Sequence, residues 1–223
     1  MKKLLFPVIL LVALASCGKD EPKVPELRIS RENIEMEATG GEVDVNVTAN
    51  VSWSASSSAS GWVTVSPASG IDNGTIKITI AENNSLNPRE AKVTVKSETI
   101  EKVIEVEQDG LSKEEFLSGS KWELISQGGD EGYNDLVGAV LEFRTDKSAV
   151  AILDVELEGL PLDKVEGVWR LKGEKIEIEG ELLGMPTILT FEILELSDKT
   201  MKCQMSDNLG FLQGGIPVIL EKK

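Results

Sequence analysis

The sequence predicts an all-β protein with two domains, a β-sandwich followed by an antiparallel β-barrel. Two observations predict the strands: apolar residues alternate with polar ones over short runs, and turn-forming residues separate these runs. A third observation, one helix-start pattern near the middle of the chain, divides the strands into two groups. The length of 223 residues suits one or two domains of ordinary size.

The first residues predict a lipoprotein signal peptide. Two lysines precede an apolar run from Leu4 to Leu14, which is shorter than the about 20 residues that a membrane-spanning helix needs. The run ends in Leu14-Ala15-Ser16-Cys17, which resembles the bacterial lipobox and implies that Cys17 is acylated after cleavage before it. An ordinary signal peptide with an incidental cysteine is the alternative.

The residues after Cys17 predict a surface tether. Lys19, Asp20 and Glu21 resemble the surface-export signal of Bacteroidetes lipoproteins, which implies an outer-membrane, lipid-anchored protein exposed on the cell surface. The alternative is a polar tether in the periplasmic leaflet. Pro22 and Pro25 favour an extended tether that holds the first domain off the membrane.

Residues 26–109 have the pattern of a β-sandwich. Val43, Val45 and Val47 alternate with polar residues over Glu42 to Thr48, and three isoleucines do so over Thr75 to Ala81. Turn signals such as Asp72-Asn73-Gly74 separate these runs, and no helical pattern lies between them. Short strands at this spacing indicate a sandwich.

A turn and a capped helix mark the domain boundary. Asp109-Gly110 is a turn signal, and Ser112 to Glu115 has the pattern of a capping box that opens a helix ending near Gly119. The predicted organisation is a signal peptide at 1–16, a lipidated tether at 17–25, a sandwich at 26–110, a short helical linker at 111–119 and a barrel at 120–223.

Residues 120–223 return to strands. Gly173 and the segment Ser197 to Lys199 each separate two alternating runs, which indicates hairpins. Sequential hairpins over about 100 residues favour an up-and-down meander closed into a barrel. The predicted strands are Val140–Thr145, Val165–Leu171, Lys175–Glu179, Ile188–Leu196, Thr200–Met205 and Ile216–Glu221.

Composition excludes several functions. The absence of histidine excludes catalytic dyads and metal sites that need an imidazole, and lipidation of Cys17 leaves Cys203 as a single thiol without an activating base. The net charge of −15 disfavours nucleic acid as a partner. The acidic loop from Gly128 to Asp135 lacks EF-hand spacing. We therefore predict no enzyme, no cofactor and no metal.

Several separated motifs in the first domain resemble the BACON domain, a Bacteroidetes-associated carbohydrate-binding family. They are Trp53, Gly61-Trp62, Ser66-Pro67 with Ser69-Gly70, the strand Thr75–Ile80, Asn83-Asn84, Arg89 and the ending Glu105–Gly110. The resemblance covers nearly all of residues 26–110 and implies an Ig-like sandwich with a carbohydrate-related role.

Trp62, Asn83, Asn84 and Arg89 are the candidate ligand contacts. An indole stacks on the apolar face of a sugar ring, and planar amide and guanidinium groups bond to its hydroxyls. The structural alternatives are packing for Trp62 and turn formation ahead of Pro88 for the polar loop. Trp53 lies inside an alternating run, and the sequence favours a place for it in the core. The serine-rich stretch 52–60 favours a solvated loop.

The second domain resembles the lipocalin family. The stretches that carry this resemblance are Leu117–Leu124, Gly167–Leu171 and Phe191–Leu196. It implies that Trp122 plugs the base of a lipocalin-like barrel, whose interior either holds one apolar ligand or is filled by its own side chains.

The sequence therefore favours a non-catalytic surface lipoprotein that binds glycan, from host mucin or dietary polysaccharide, through its N-terminal domain. The alternative is that this domain is a spacer and that the barrel binds a small apolar ligand or a partner, such as another surface lipoprotein. A glycosidase would need two carboxylates facing each other across a cleft.

Overall fold

The structure is a computed structural model that describes residues 23–127, 136–157, 160–210, 212 and 215–223. The predicted signal peptide, Cys17 and the acidic loop from Gly128 to Asp135 lie outside these residues. Within the described part of the chain, no helix is both long enough and apolar enough to cross a membrane. The all-β prediction, a sandwich followed by a closed antiparallel barrel, is confirmed.

Nine strands in two sheets form the sandwich. One sheet has the order β1-β3-β7-β5 and the other has the order β2-β9-β8-β4-β6. All pairs are antiparallel except β2 with β9. The strands are β1 Leu27–Ile29, β2 Asn33–Met36, β3 Gly41–Ala49, β4 Ser52–Ser57, β5 Val63–Ser66, β6 Ser69–Ile71, β7 Gly74–Ile80, β8 Arg89–Lys96 and β9 Glu101–Gln108.

The sandwich core forms because β-branched residues occupy every second position of the long strands. Val45, Ile78 and Val93 are fully buried between the sheets. Trp53 is also buried, at 4% exposed, as the sequence predicts. Its Nε1 donates to the carbonyl of Asp72 at 2.9 Å, so the polar atom of the ring has a partner inside the core.

The serine-rich stretch differs from the expected loop, because residues 52–57 form β4. Trp53 and Ala55 point into the core, and the serines between them point outward. The alternation of inward and outward side chains is regular, but the small polar residues on the solvent side give this strand the composition of a loop.

Helix α1 spans Lys113–Leu117 and connects the two domains. The predicted capping box is present: Ser112 Oγ accepts from the Glu115 N–H at 3.2 Å, and the Glu115 carboxylate accepts from the Ser112 N–H at 2.9 Å. Phe116 and Leu117 are buried in the barrel core. The helix therefore closes one end of the barrel.

Eight antiparallel strands form the barrel in sequential order, and β10 pairs with β17 to close it. Strand β12 and the first half of β13 were not among the predicted strands. In β12 the inward positions include the small residues Ala149 and Ala151, which weaken the apolar pattern. The strands are β10 Lys121–Gln127, β11 Val140–Phe143, β12 Ser148–Leu157, β13 Leu160–Lys172, β14 Lys175–Leu182, β15 Met185–Leu196, β16 Thr200–Asp207 and β17 Ile216–Lys222.

Large apolar side chains fill the barrel interior. Trp122 and Trp169 are fully buried, and Trp122 donates from Nε1 to Ser120 Oγ at 2.7 Å beside α1. The described side chains leave a cavity of about 10 Å³ in this interior, room for about one water molecule. Its lining residues are Leu124, Leu136, Ala139, Leu141, Leu153, Phe191, Met205 and Leu220. This cavity of the described residues therefore has no space for a small apolar ligand, and the lipocalin relationship stays a prediction.

Candidate functional site

The four candidate residues gather at the end of the sandwich that meets the barrel. Arg89 begins β8 opposite Gln108 at the end of β9. Trp62 lies just before β5, and its carbonyl accepts from the Ala81 N–H at 2.8 Å. Asn83 and Asn84 follow β7 in the same loop. Residues far apart in the sequence therefore meet around the loop between β7 and β8, residues 81–88.

Trp62 and Arg89 contact each other directly. The Arg89 guanidinium carbon lies 4.2 Å from the centroid of the Trp62 ring, a cation–π geometry. Trp62 is half-buried and also packs against the sandwich core. The contact with Arg89 fixes the indole at the surface and leaves part of it exposed to solvent.

Arg89 is held by three hydrogen bonds. Its Nε donates to Gln108 Oε1 at 2.8 Å, and its Nη2 donates to the carbonyls of Ala81 and Glu82 at 2.8 and 2.9 Å. Burial lowers the pKa of Arg89 from its ordinary value. These bonds fix the orientation of the guanidinium and leave the two N–H groups of Nη1 outside the hydrogen bonds of the described residues.

The two asparagines take different positions. Asn83 is only 3% exposed, and its Nδ2 donates to the carbonyls of Asn87 and Asp109, both at 2.9 Å. Asn84 beside it is exposed. Asn83 therefore holds the loop in shape from the inside, whereas Asn84 presents its side chain to solvent.

Gln108 belongs to the same network, although the sequence analysis did not select it. It is 1% exposed, accepts from Arg89, and donates to the carbonyls of Glu37, Ala38 and Ala81 at 3.2, 3.2 and 2.9 Å. Its signal in the sequence is its position, because it continues the inward alternation of Ile104 and Val106 with a polar residue. A buried amide at such a position needs hydrogen-bond partners.

A groove of about 500 Å³ lies next to this network, where the sandwich meets the linker and α1. Its walls carry the carboxylates of Glu37, Asp109 and Glu115 beside Pro88 and Leu111. Hydrogen bonds from Ser112 hold the pKa of Glu115 below its ordinary value. Within the described ranges, no group of three or more histidine, cysteine, aspartate or glutamate side chains is placed to hold a metal ion.

Cys203 is buried inside the barrel. Burial raises the pKa of its thiol to about 12, so the thiol is protonated at neutral pH. A buried and protonated thiol is a small packing residue and not a nucleophile, since the thiolate is the nucleophilic form.

The comparison with protein families supports one part of the chain. The family described as the viral BACON domain matches residues 26–111, which correspond to the sandwich and the start of the linker. The match covers less than half of the chain, so it classifies the sandwich alone. No curated protein matches the chain.

Solved structures resemble parts of the fold. The Bacteroides ovatus GH5 xyloglucanase, solved in complex with a XXXG heptasaccharide, is 27% identical with a TM-score of 0.37, over 40% of this chain and 19% of that chain. A protein from Bacteroides thetaiotaomicron is 18% identical with a TM-score of 0.30, over 43% of this chain and 96% of that chain. The E. coli chaperone DraB is 7% identical with a TM-score of 0.31, over 74% and 94% of the two chains.

Proposed function

We propose that this chain is a non-catalytic lipoprotein of the cell surface that binds glycan weakly through the barrel-facing end of its sandwich. The observation that carries the proposal is the Trp62–Arg89 pair, an indole fixed at the surface by a stacked guanidinium. The match of residues 26–111 to the BACON family supports a carbohydrate-related role for this domain.

The chemistry of the pair suits a sugar. The exposed part of the Trp62 indole offers apolar surface to the C–H face of a pyranose ring. Arg89 Nη1 keeps two N–H groups for the oxygen atoms of the same sugar, because Nε and Nη2 make the bonds to the protein. Asn84 adds an exposed amide on the same loop. Asn83 supports this site by holding the loop.

Anchoring makes weak binding sufficient. A lipid on Cys17 would concentrate many copies on one surface, and a polysaccharide offers many equal ligands. Avidity then raises the overall affinity by orders of magnitude over that of a single site.

The test is a glycan array probed with the soluble chain from Gly18 to Lys223 and with two variants. We expect Trp62→Ala to lower the binding affinity by about 5- to 30-fold, since an exposed stacking contact of this type contributes about 1–2 kcal/mol. Thr64→Ala is the matched control, because Thr64 is an exposed residue of the adjacent strand β5. We expect the control to bind as the wild type does.

Two results would contradict the proposal. One is the absence of binding by the wild-type chain to any arrayed glycan. The other is glycan binding that Trp62→Ala leaves unchanged while the variant stays folded, as judged by thermal unfolding.

The filled barrel favours a second candidate. Because the interior cavity that the described side chains leave measures about 10 Å³ and has no room for an apolar ligand, we assign a binding role of the barrel to its outer surface. In this alternative the sandwich is a spacer and the barrel contacts a partner protein, such as another surface lipoprotein. If the chain binds none of the arrayed glycans, that result favours this second function.

A further inference from the structure

A short linker and a carboxylate join the two domains. Strand β9 ends at Gln108 and α1 begins at Lys113, so few residues lie between the sheets and the helix. Asp198, in the turn between β15 and β16, accepts from Ser85 Oγ at 2.8 Å and from the Leu86 N–H at 3.0 Å. These bonds hold the pKa of Asp198 below its ordinary value, so the carboxylate is ionised at neutral pH.

Two leucines also join the sandwich side to the barrel. Leu86 of the sandwich loop and Leu111 of the linker both pack against the barrel core. The Leu111 N–H donates to the Ser85 carbonyl at 2.8 Å, which ties the linker to the loop. A Cβ at Gly110 would lie 2.2 Å from the Leu86 carbonyl oxygen, so the two segments approach as closely as a glycine allows.

The helix adds ion pairs on the barrel side. Lys113 pairs with Glu174, and Glu114 pairs with Lys147, in two different turns at this end of the barrel. Lys222 Nζ lies 3.6 Å from the centroid of the Phe116 ring. The linker and α1 therefore belong to the barrel, and Asp198 connects that unit to the loop between β7 and β8 of the sandwich.

The tether enters at the opposite end of the sandwich. Asn50, which follows β3, accepts from the Glu26 N–H at 2.7 Å and donates to the Val24 carbonyl at 2.8 Å. The other end of β3 lies beside the loop that meets the barrel, since Asn83 N donates to Ala38 O at 2.7 Å. Nine residues of β3 span about 30 Å.

We propose that the two domains form one rigid strut, locked by the Asp198 carboxylate, that holds the barrel away from the membrane. The membrane-facing direction rests on the lipid anchor of the proposed function, but the rigidity does not depend on the anchor or on glycan binding. The sandwich thus sets both the distance and the orientation at which the barrel is presented.

The test measures residual dipolar couplings and ¹⁵N relaxation on the soluble chain from Gly18 to Lys223. We expect the amides of both domains to fit a single alignment tensor and to share one rotational correlation time. Two distinct tensors in the wild-type chain would overturn the proposal.

The lock is tested with Asp198→Ala. We expect this variant to require two alignment tensors and to show a shorter correlation time for the sandwich. Asp146→Ala is the matched control, because Asp146 also lies in a turn at this end of the barrel and accepts from a backbone N–H and a hydroxyl, both of Ser148. Among the described residues, Asp146 makes no hydrogen bond to the sandwich, so the control should keep one tensor. A single tensor in Asp198→Ala would overturn the role of the carboxylate as the lock.

Discussion

At the scale of single residues, buried amides organise the end of the sandwich that carries the candidate site. Gln108 joins the turn after β2 to the loop after β7, and Asn83 joins that loop to the end of β9. Both are nearly inaccessible to solvent, so each polar atom needs a protein partner. The surface pair of Trp62 and Arg89 depends on this interior, since Gln108 accepts from the guanidinium.

We predict that Asn83→Ala destabilises the protein by about 1–3 kcal/mol, because it removes a buried amide that donates to the carbonyls of Asn87 and Asp109. Asn84→Ala, one residue away and exposed, should change the free energy of unfolding by less than about 0.5 kcal/mol. Urea denaturation followed by tryptophan fluorescence measures both. Equal effects of the two substitutions would contradict the assigned role of Asn83.

The sequence predicts the residue types of the site better than their roles. A loop rich in asparagine indicates turns and polar contacts, but it does not reveal which asparagine points inward. The contact between Trp62 and Arg89 could not be predicted either, because the pairing of β5 with β7 and the loop that follows β7 bring the two residues together. No local sequence pattern encodes such strand pairing.

At the scale of elements, Trp53 determines how closely β6 and β7 approach β4. Gly70 of β6 is paired with Trp53, and a Cβ at this position would lie 2.3 Å from Cζ2 of the indole. Gly74 at the start of β7 has a similar but looser contact at 3.0 Å. The indole therefore fills space that two glycines leave free.

We predict that Gly70→Ala lowers the melting temperature, because the new methyl group forces the large and buried Trp53 ring to move. The expected decrease in the free energy of unfolding is about 1–3 kcal/mol, the usual destabilisation by overpacking. Gly61→Ala is the control, since nothing lies within 4 Å of a Cβ at Gly61. Differential scanning calorimetry of both variants provides the comparison, and an unchanged melting temperature for Gly70→Ala would contradict this packing.

Strands with large apolar residues at every second position were predictable, and two strands without them were not. Strands β3 and β7 are evident from valine and isoleucine at every second position. Strand β4 was not recognisable because its outward residues are serines, and β12 was not recognisable because its inward residues include alanines. In both cases the inward side chains are small or few, so the apolar period is weak although the backbone pairing is regular.

At the scale of the whole molecule, the two hydrophobic cores differ in the residue types that form them. The sandwich core is built from β-branched residues, whereas the barrel core adds phenylalanines, methionines and two tryptophans. Phe143 and Trp169 lie 5.3 Å apart between ring centroids within the barrel. These large side chains fill the part of the barrel interior that the described residues form, which strand patterns alone do not reveal.

We predict that the barrel does not take up apolar ligands. A cavity of about 10 Å³ is far smaller than a fatty acid, and ligand pockets usually measure about 300–1,000 Å³. Titration with a fluorescent fatty acid should give no saturable signal and no quenching of the protein tryptophans. Stoichiometric binding would contradict the filled interior.

The closure of the barrel by β10 and β17 also sets the order in which the molecule is completed. The sandwich has all of its strands once Gln108 has emerged, so its strands are able to pair while the rest of the chain is still being synthesised. The barrel cannot close before its last strand has been made, because β10 pairs with β17, which begins at Ile216. Until then β10 has an unpaired edge, which is a site for aggregation. The strand order therefore favours a folded sandwich ahead of an unfinished barrel during synthesis.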